Sequence, residues 1–248
     1  RLGLQVHEGD SDEVVFQSPE TFLAKPQTIH SGSYIHIGQG LPVDEKIGAL
    51  TLECWVRAWN LKAWQGLITQ HDYPRHCGYG LFINDSGEVV FSMGSGGEHV
   101  RENMLVGPKL ELRKWRHIVA VWDGTTAQIW LDGELAIERP FPLDQPARKA
   151  GSSPLRIGAY GDRGVASHFL EGDIAAPAIY SRALDRGEIE SRFQSEALSP
   201  PKASGLFAHW PLNEEKGGQV RDVGDNARHG RIINCGTWMI GGPSFDAS

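Results

Sequence analysis

A chain of 248 residues buries well over half of its unfolded surface without staples, and 30 glycines, 14 prolines and 8 tryptophans suit short strands and tight turns rather than a helical bundle. Net charge is −7 with no basic cluster, which disfavours nucleic acid and anionic membrane as partners, and no apolar run is long enough to span a bilayer. Cys54, Cys77 and Cys235 lack a CxxC spacing and two sit in strand-like runs, so a reducing cytoplasm is the simpler reading, with one disulfide plus a leftover thiol as the alternative.

Residues 1–32 carry a weak pattern around Val14-Val15-Phe16 and are expected to be an opening segment packing on the domain that follows. Strands are predicted over 33–38, 50–57, 66–70, 78–84, 88–93, 115–123, 127–132 and 155–159. Over 50–57 the apolar set Leu50, Leu52, Cys54 and Val56 alternates with Thr51, Glu53 and Arg57, which predicts one face on a core and the other largely on solvent. Asp85-Ser86-Gly87 and Asp132-Gly133 each lie between β-rich runs, where glycine supplies the positive φ of a hairpin turn.

One helix is expected over 185–197, opened by a capping box of Asp185 and Glu188, with Ile189 and Phe193 on one face that packs on the sandwich edge. A further strand pair over 205–211 and 228–235 closes the domain. The expected organisation is one all-β, two-sheet antiparallel sandwich over 33–235, followed by a linker over 236–248 towards a downstream domain. The chain opens on Arg1 rather than methionine, and is expected to be a piece of a longer protein.

Four stretches in order, Leu50-Thr51-Leu52-Glu53-Cys54-Trp55-Val56-Arg57, Trp115 to Gly124, Trp130-Leu131-Asp132-Gly133-Glu134 and Ile179 to Ile189, resemble the laminin G-like jelly roll of the concanavalin A-like class. More narrowly, Gly205-Leu206-Phe207-Ala208-His209-Trp210-Pro211-Leu212, His229 to Asn234 and Thr237 to Asp246 look like the lectin-like portion of the large subunit of N,N-dimethylformamidase-type amidases. That resemblance implies a separate downstream catalytic domain carrying a mononuclear iron, and a small subunit as a further partner. This chain alone is then expected to be no enzyme, but an accessory or assembly domain. The alternative is a carbohydrate-binding lectin module, with or without calcium.

Jelly-roll glucanases use an E-x-D-x-E strand whose carboxylates share one face. Here Glu171-Gly172-Asp173-Ile174-Ala175 has alanine in the third place, and Asp173 is expected to cap a strand or turn. The resemblance also suggests calcium at a sandwich rim, for which Asp222, Asp225 and Asn226 are the candidate ligands, although Asp and Asn equally bond their own backbone in a plain loop. His71, His76 and Cys77 are borderline zinc ligands in a segment better read as a surface loop. Trp59, Trp64 and Tyr73 flank strand 66–70 and are expected to form an interface with a neighbouring domain or a stacking surface for a glycan. Trp55, Trp115, Trp122 and Trp130 lie inside strands and read as packing. No Gly-x-Ser-x-Gly elbow or phosphate loop is present.

Overall fold

The computed structural model describes residues 13–15, 26–28, 32–41, 48–73, 76–95, 104–141, 153–195, 204–239 and 241–243. Among them β1 (Glu13–Val15) and β2 (Pro26–Thr28) form a separate antiparallel pair. The remaining strands are β3 (Tyr34–Gly38), β4 (Leu50–Ala58), β5 (Gln65–Tyr73), β6 (Cys77–Ile83), β7 (Glu88–Ser95), β8 (Met104–Lys109), β9 (Trp115–Trp122), β10 (Thr126–Leu131), β11 (Glu134–Pro140), β12 (Leu155–Ile157), β13 (Tyr160–Asp162), β14 (Val165–Ser167) and β15 (Gly172–Tyr180). Helix α1 (Arg186–Gln194) follows, then β16 (Leu206–His209), β17 (Gln219–Val220) and β18 (Gly230–Ile233).

These strands build the expected jelly-roll sandwich. One sheet runs β11-β10-β9-β4-β15-β16 and the other β17-β18-β3-β12-β5-β6-β7-β8, with β13 and β14 as a side hairpin on β5. The inner faces meet through Leu50, Leu52, Cys54 and Val56 of β4, Ile118, Ala120 and Trp122 of β9, and Tyr79, Leu81, Phe91 and Met93 of β6 and β7. Alternation along each strand sends these side chains inward, and their burial supplies the main driving force for closing the two sheets. Asp132 and Gly133 both take positive φ, +53° and +79°, as a two-residue hairpin between β10 and β11 requires.

Two expectations about the outer face are corrected. Thr51 and Glu53 do not face solvent but are fully buried, because α1 lies across the sheet above them. The helix therefore packs on a sheet face rather than on the sandwich edge, closing over Val119, Val121, Trp130, Ala178 and Tyr180 with Leu184 and Ile189. Its start is the expected one: Asp185 accepts from the Glu188 backbone and Glu188 bonds back to Asp185. Its end comes earlier, at Gln194 with Ser195 as the cap, and residues 196–197 of the expected helix lie outside the described residues.

Strand β15 was not expected, because Gly172, Ala175, Ala176, Pro177 and Ala178 give it no alternating pattern. It pairs with β4 along its length, but its register shifts between Ala175 and Ala178, where Ala176 is held at φ +48°. Asp173 thus sits inside a strand opposite Arg57 rather than capping one. Strand β16 pairs only with Ala178, Ile179 and Tyr180. Among the described residues the first half of β15 has no strand from β16 on its far side, and a cleft lies there.

Candidate functional site

Two polar constructions stand out on the six-stranded sheet. The first is buried beneath α1. Glu53 accepts from His117 Nε2 at 2.9 Å, from the Tyr180 hydroxyl at 2.9 Å and from Arg192 Nε at 3.1 Å, so one carboxylate joins β4, β9, β15 and α1. A carboxylate only accepts, so His117 Nε2 carries a proton. Burial alone would raise the Glu53 carboxyl. The hydrogen bond and charge of His117, the charge of Arg192 and the Tyr180 hydroxyl outweigh it and hold the group at about 2. Tyr180 is pushed up, first by burial and then by the Glu53 charge. Trp55 closes one side of the network, its ring 5.0 Å from that of His117 and 5.6 Å from that of Phe193. A network fed from four elements, with a fully buried anion at its centre, is suited to holding the helix in one place.

The second is a cleft of about 470 Å³ around the open edge of β15. Tyr34, Trp59, Trp115 and Trp238 supply rings, Glu171 and Asp173 carboxylates, and residues 235–239 with Gly241 and Gly242 form one wall. Asp173 Oδ2 accepts from Arg57 Nε at 2.8 Å and from the Trp59 indole at 3.1 Å, while the Arg57 guanidinium lies 5.1 Å above the Trp115 ring. Arg57 also reaches the Met239 sulfur at 3.9 Å, and the Trp238 indole donates to the Gly217 carbonyl at 2.7 Å. Asp173 therefore acts as a brace for an aromatic rim, and Glu171 is engaged by Asn60 at 3.0 Å. Trp59 is 58% exposed and Met239 41%, an apolar rim beside a polar floor.

The sequence-derived residues disperse. Trp59 belongs to this cleft, whereas Trp64 packs edge-on to Phe82 and Tyr73 meets the His76 ring on the other sheet. Trp115 and Trp238 were missed as cleft residues; the only signal was that Trp115 opens its strand, where a side chain reaches the rim. Asp222 turns both carboxylate oxygens to backbone, accepting from His209 and Gly224 at 2.9 and 2.8 Å through Oδ1 and from Arg228 at 2.8 Å through Oδ2. The Asn226 amide donates to the Phe207 carbonyl at 2.6 Å, and Asp225 lies in the adjoining turn. A calcium ion here would compete with three backbone N–H groups for Asp222.

Among the described residues no group of three or more His, Cys, Asp or Glu side chains is placed to hold a metal ion. His71, Asp72 and Cys77 sit in the β5–β6 hairpin, where Asp72 pairs with Cys77. No disulfide joins Cys54, Cys77 and Cys235. No helix among the described residues is long and apolar enough to cross a membrane.

The chain is similar to several known proteins. The chain is 24% identical to the β subunit of N,N-dimethylformamidase from Paracoccus aminophilus over 246 aligned residues, covering 86% of this chain and 31% of that protein. It therefore spans about a third of the length of that relative. Among solved structures, a candidate carbohydrate-binding protein from Bacteroides ovatus superposes with TM-score 0.62 at 18% identity, covering 82% of this chain and 56% of the other. The CBM40 module of a sialidase from Ruminococcus gnavus gives 0.47 at 14% identity, covering 63% and 92%. Residues 30–190 match the family described as concanavalin A-like lectin/glucanases. The chain belongs to the concanavalin A-like lectin/glucanases superfamily.

Proposed function

We propose that this chain is a non-catalytic accessory domain of a larger hydrolase, an N,N-dimethylformamidase-like large subunit, and that it mediates domain and subunit contacts. The carrying observation is the similarity to an amidase β subunit along 86% of this chain but only 31% of the relative. In this reading the catalytic domain and its iron lie in the rest of that subunit, and a small subunit completes the assembly. The apolar rim of Trp59 and Met239 at the open edge of β15 is the contact with the catalytic domain. Apolar side chains around a braced polar pair suit a stable, desolvated interface.

The test is twofold. The chain alone is expected to show no hydrolysis of N,N-dimethylformamide with or without added iron, and turnover by it would remove the non-catalytic reading. In the full-length parent, Trp59→Ala is expected to speed limited proteolysis between this domain and the next. An unchanged digestion rate would remove the cleft as the contact.

A second reading is a glycan-binding module. It is favoured by four aromatic rings and two carboxylates lining one cleft, the combination that stacks on sugar faces and accepts from their hydroxyls. A glycan array read with the wild type and Trp115→Ala decides it: silence across the array removes this reading.

A further inference from the structure

The layer under α1 holds a group that the Glu53 network does not use. His209, the last residue of β16, pairs with Ala178, which in turn pairs with Glu53, so the three lie in one row across the sheet. Its ring is fully buried, and neither nitrogen has a hydrogen-bond partner. Three charged groups act on it: Arg192 from α1, Glu53 from β4 and Asp222 from the segment after β17.

Glu53 is already shared among His117, Tyr180 and Arg192, and Asp222 is spent on three backbone N–H groups. A proton on His209 would therefore place a second buried cation near Arg192, with neither carboxylate hydrogen-bonded to its ring. Burial first, and the Arg192 charge second, push the His209 ring down to about 4, against the pull of Glu53 and Asp222. A hollow of about 380 Å³ beside the helix is lined by Tyr180, Leu184, Glu188 and Arg192.

We propose that helix α1 is an acid-releasable cover: the Glu53–Arg192 pair holds it on the sheet while His209 is neutral, and protonation of His209 lifts it. The helix is the element to yield, because the strands beneath it share the inter-sheet core through Leu52, Cys54, Ile118 and Ile179, and the helix does not. Lifting it uncovers Val119, Val121, Trp130 and Tyr180, an apolar strip on the outer face. This inference is independent of the proposed amidase context.

Hydrogen exchange read by mass spectrometry on this chain, with labelling times corrected for the intrinsic pH dependence, tests it. Between pH 7.5 and 4.5 the amides of 186–194 are expected to lose at least tenfold in protection relative to those of β4 and β9. In His209→Phe, which removes the titrating ring, that relative loss is expected to disappear. The proposal is overturned if helix and strands lose protection together, if the helix stays protected across the range, or if His209→Phe behaves as the wild type. Should that variant fail to fold, the wild-type comparison of helix against strands still decides.

Discussion

The Nε of Arg192 lies 3.1 and 3.2 Å from the two carboxylate oxygens of Glu53, a side-on contact between residues 139 positions apart. It is the bond by which a helix late in the chain is tied to a strand near its start. Removing one member of a buried pair strands the other charge, which costs about 3–5 kcal/mol. Arg192→Ala is expected to destabilise the chain by that order in urea unfolding. A loss below about 1 kcal/mol would mean that His117 and Tyr180 hold Glu53 without it.

Acid should weaken the fold from two groups acting in the same direction. His209 is lowered from 6.5 to about 4, so the unfolded chain takes up a proton that the folded chain refuses. Stability from this group is complete above about pH 6.5 and falls as pH drops towards 4, by about 3 kcal/mol over that window. Glu53, lowered from 4.5 to about 2, adds a further loss as pH falls from 4.5 through 2. Urea midpoints at pH 8, 6 and 4.5 should decline steadily in the wild type and stay nearly level down to 4.5 in His209→Phe.

Asp222→Ala deprives the backbone N–H groups of His209, Gly224 and Arg228 of their common acceptor. A loss on the order of 3 kcal/mol is expected, since buried donors left unsatisfied cost about 1–3 kcal/mol each and some will find water. The thermal midpoint of the wild type should be the same in millimolar calcium and in chelator. A rise with calcium that vanishes in Asp222→Ala would instead establish the loop 222–226 as a metal site.

Trp59→Ala should separate stability from recognition. The indole is mostly exposed and makes one hydrogen bond, to Asp173, so the unfolding free energy should change by about 0.5 kcal/mol or less. Binding of the rest of the parent subunit, measured by calorimetry with the two parts mixed, should weaken at least tenfold. Equal affinity would show that the partner approaches elsewhere.

Local rules carried much of this architecture into the sequence. The alternation of β4, the Asp132-Gly133 turn and the capping box of Asp185 with Glu188 each express a preference satisfied within a few residues. What stayed hidden depends on distance along the chain. Glu53 reads as a solvent residue until α1 is placed over it, and β15 is a strand only because β4 and β16 flank it. The cleft assembles Trp59, Trp115 and Trp238 from three separate regions, so no spacing between them could have marked it. Trp64 and Tyr73 shared a neighbourhood with Trp59 in sequence, but a strand carries its two ends to different places.

The shift in β15 inverts the parity of that strand. Before it, odd-numbered Asp173 and Ala175 lie opposite Arg57 and Trp55; after it, even-numbered Ala178 and Tyr180 lie opposite Glu53 and Thr51. Without the extra residue, a strand long enough for both tasks would aim either Asp173 or Tyr180 into the hydrocarbon interior. Deleting Ala176 would thus do more than shorten the chain: it would set the aromatic rim and the helix anchorage in competition for a single phase.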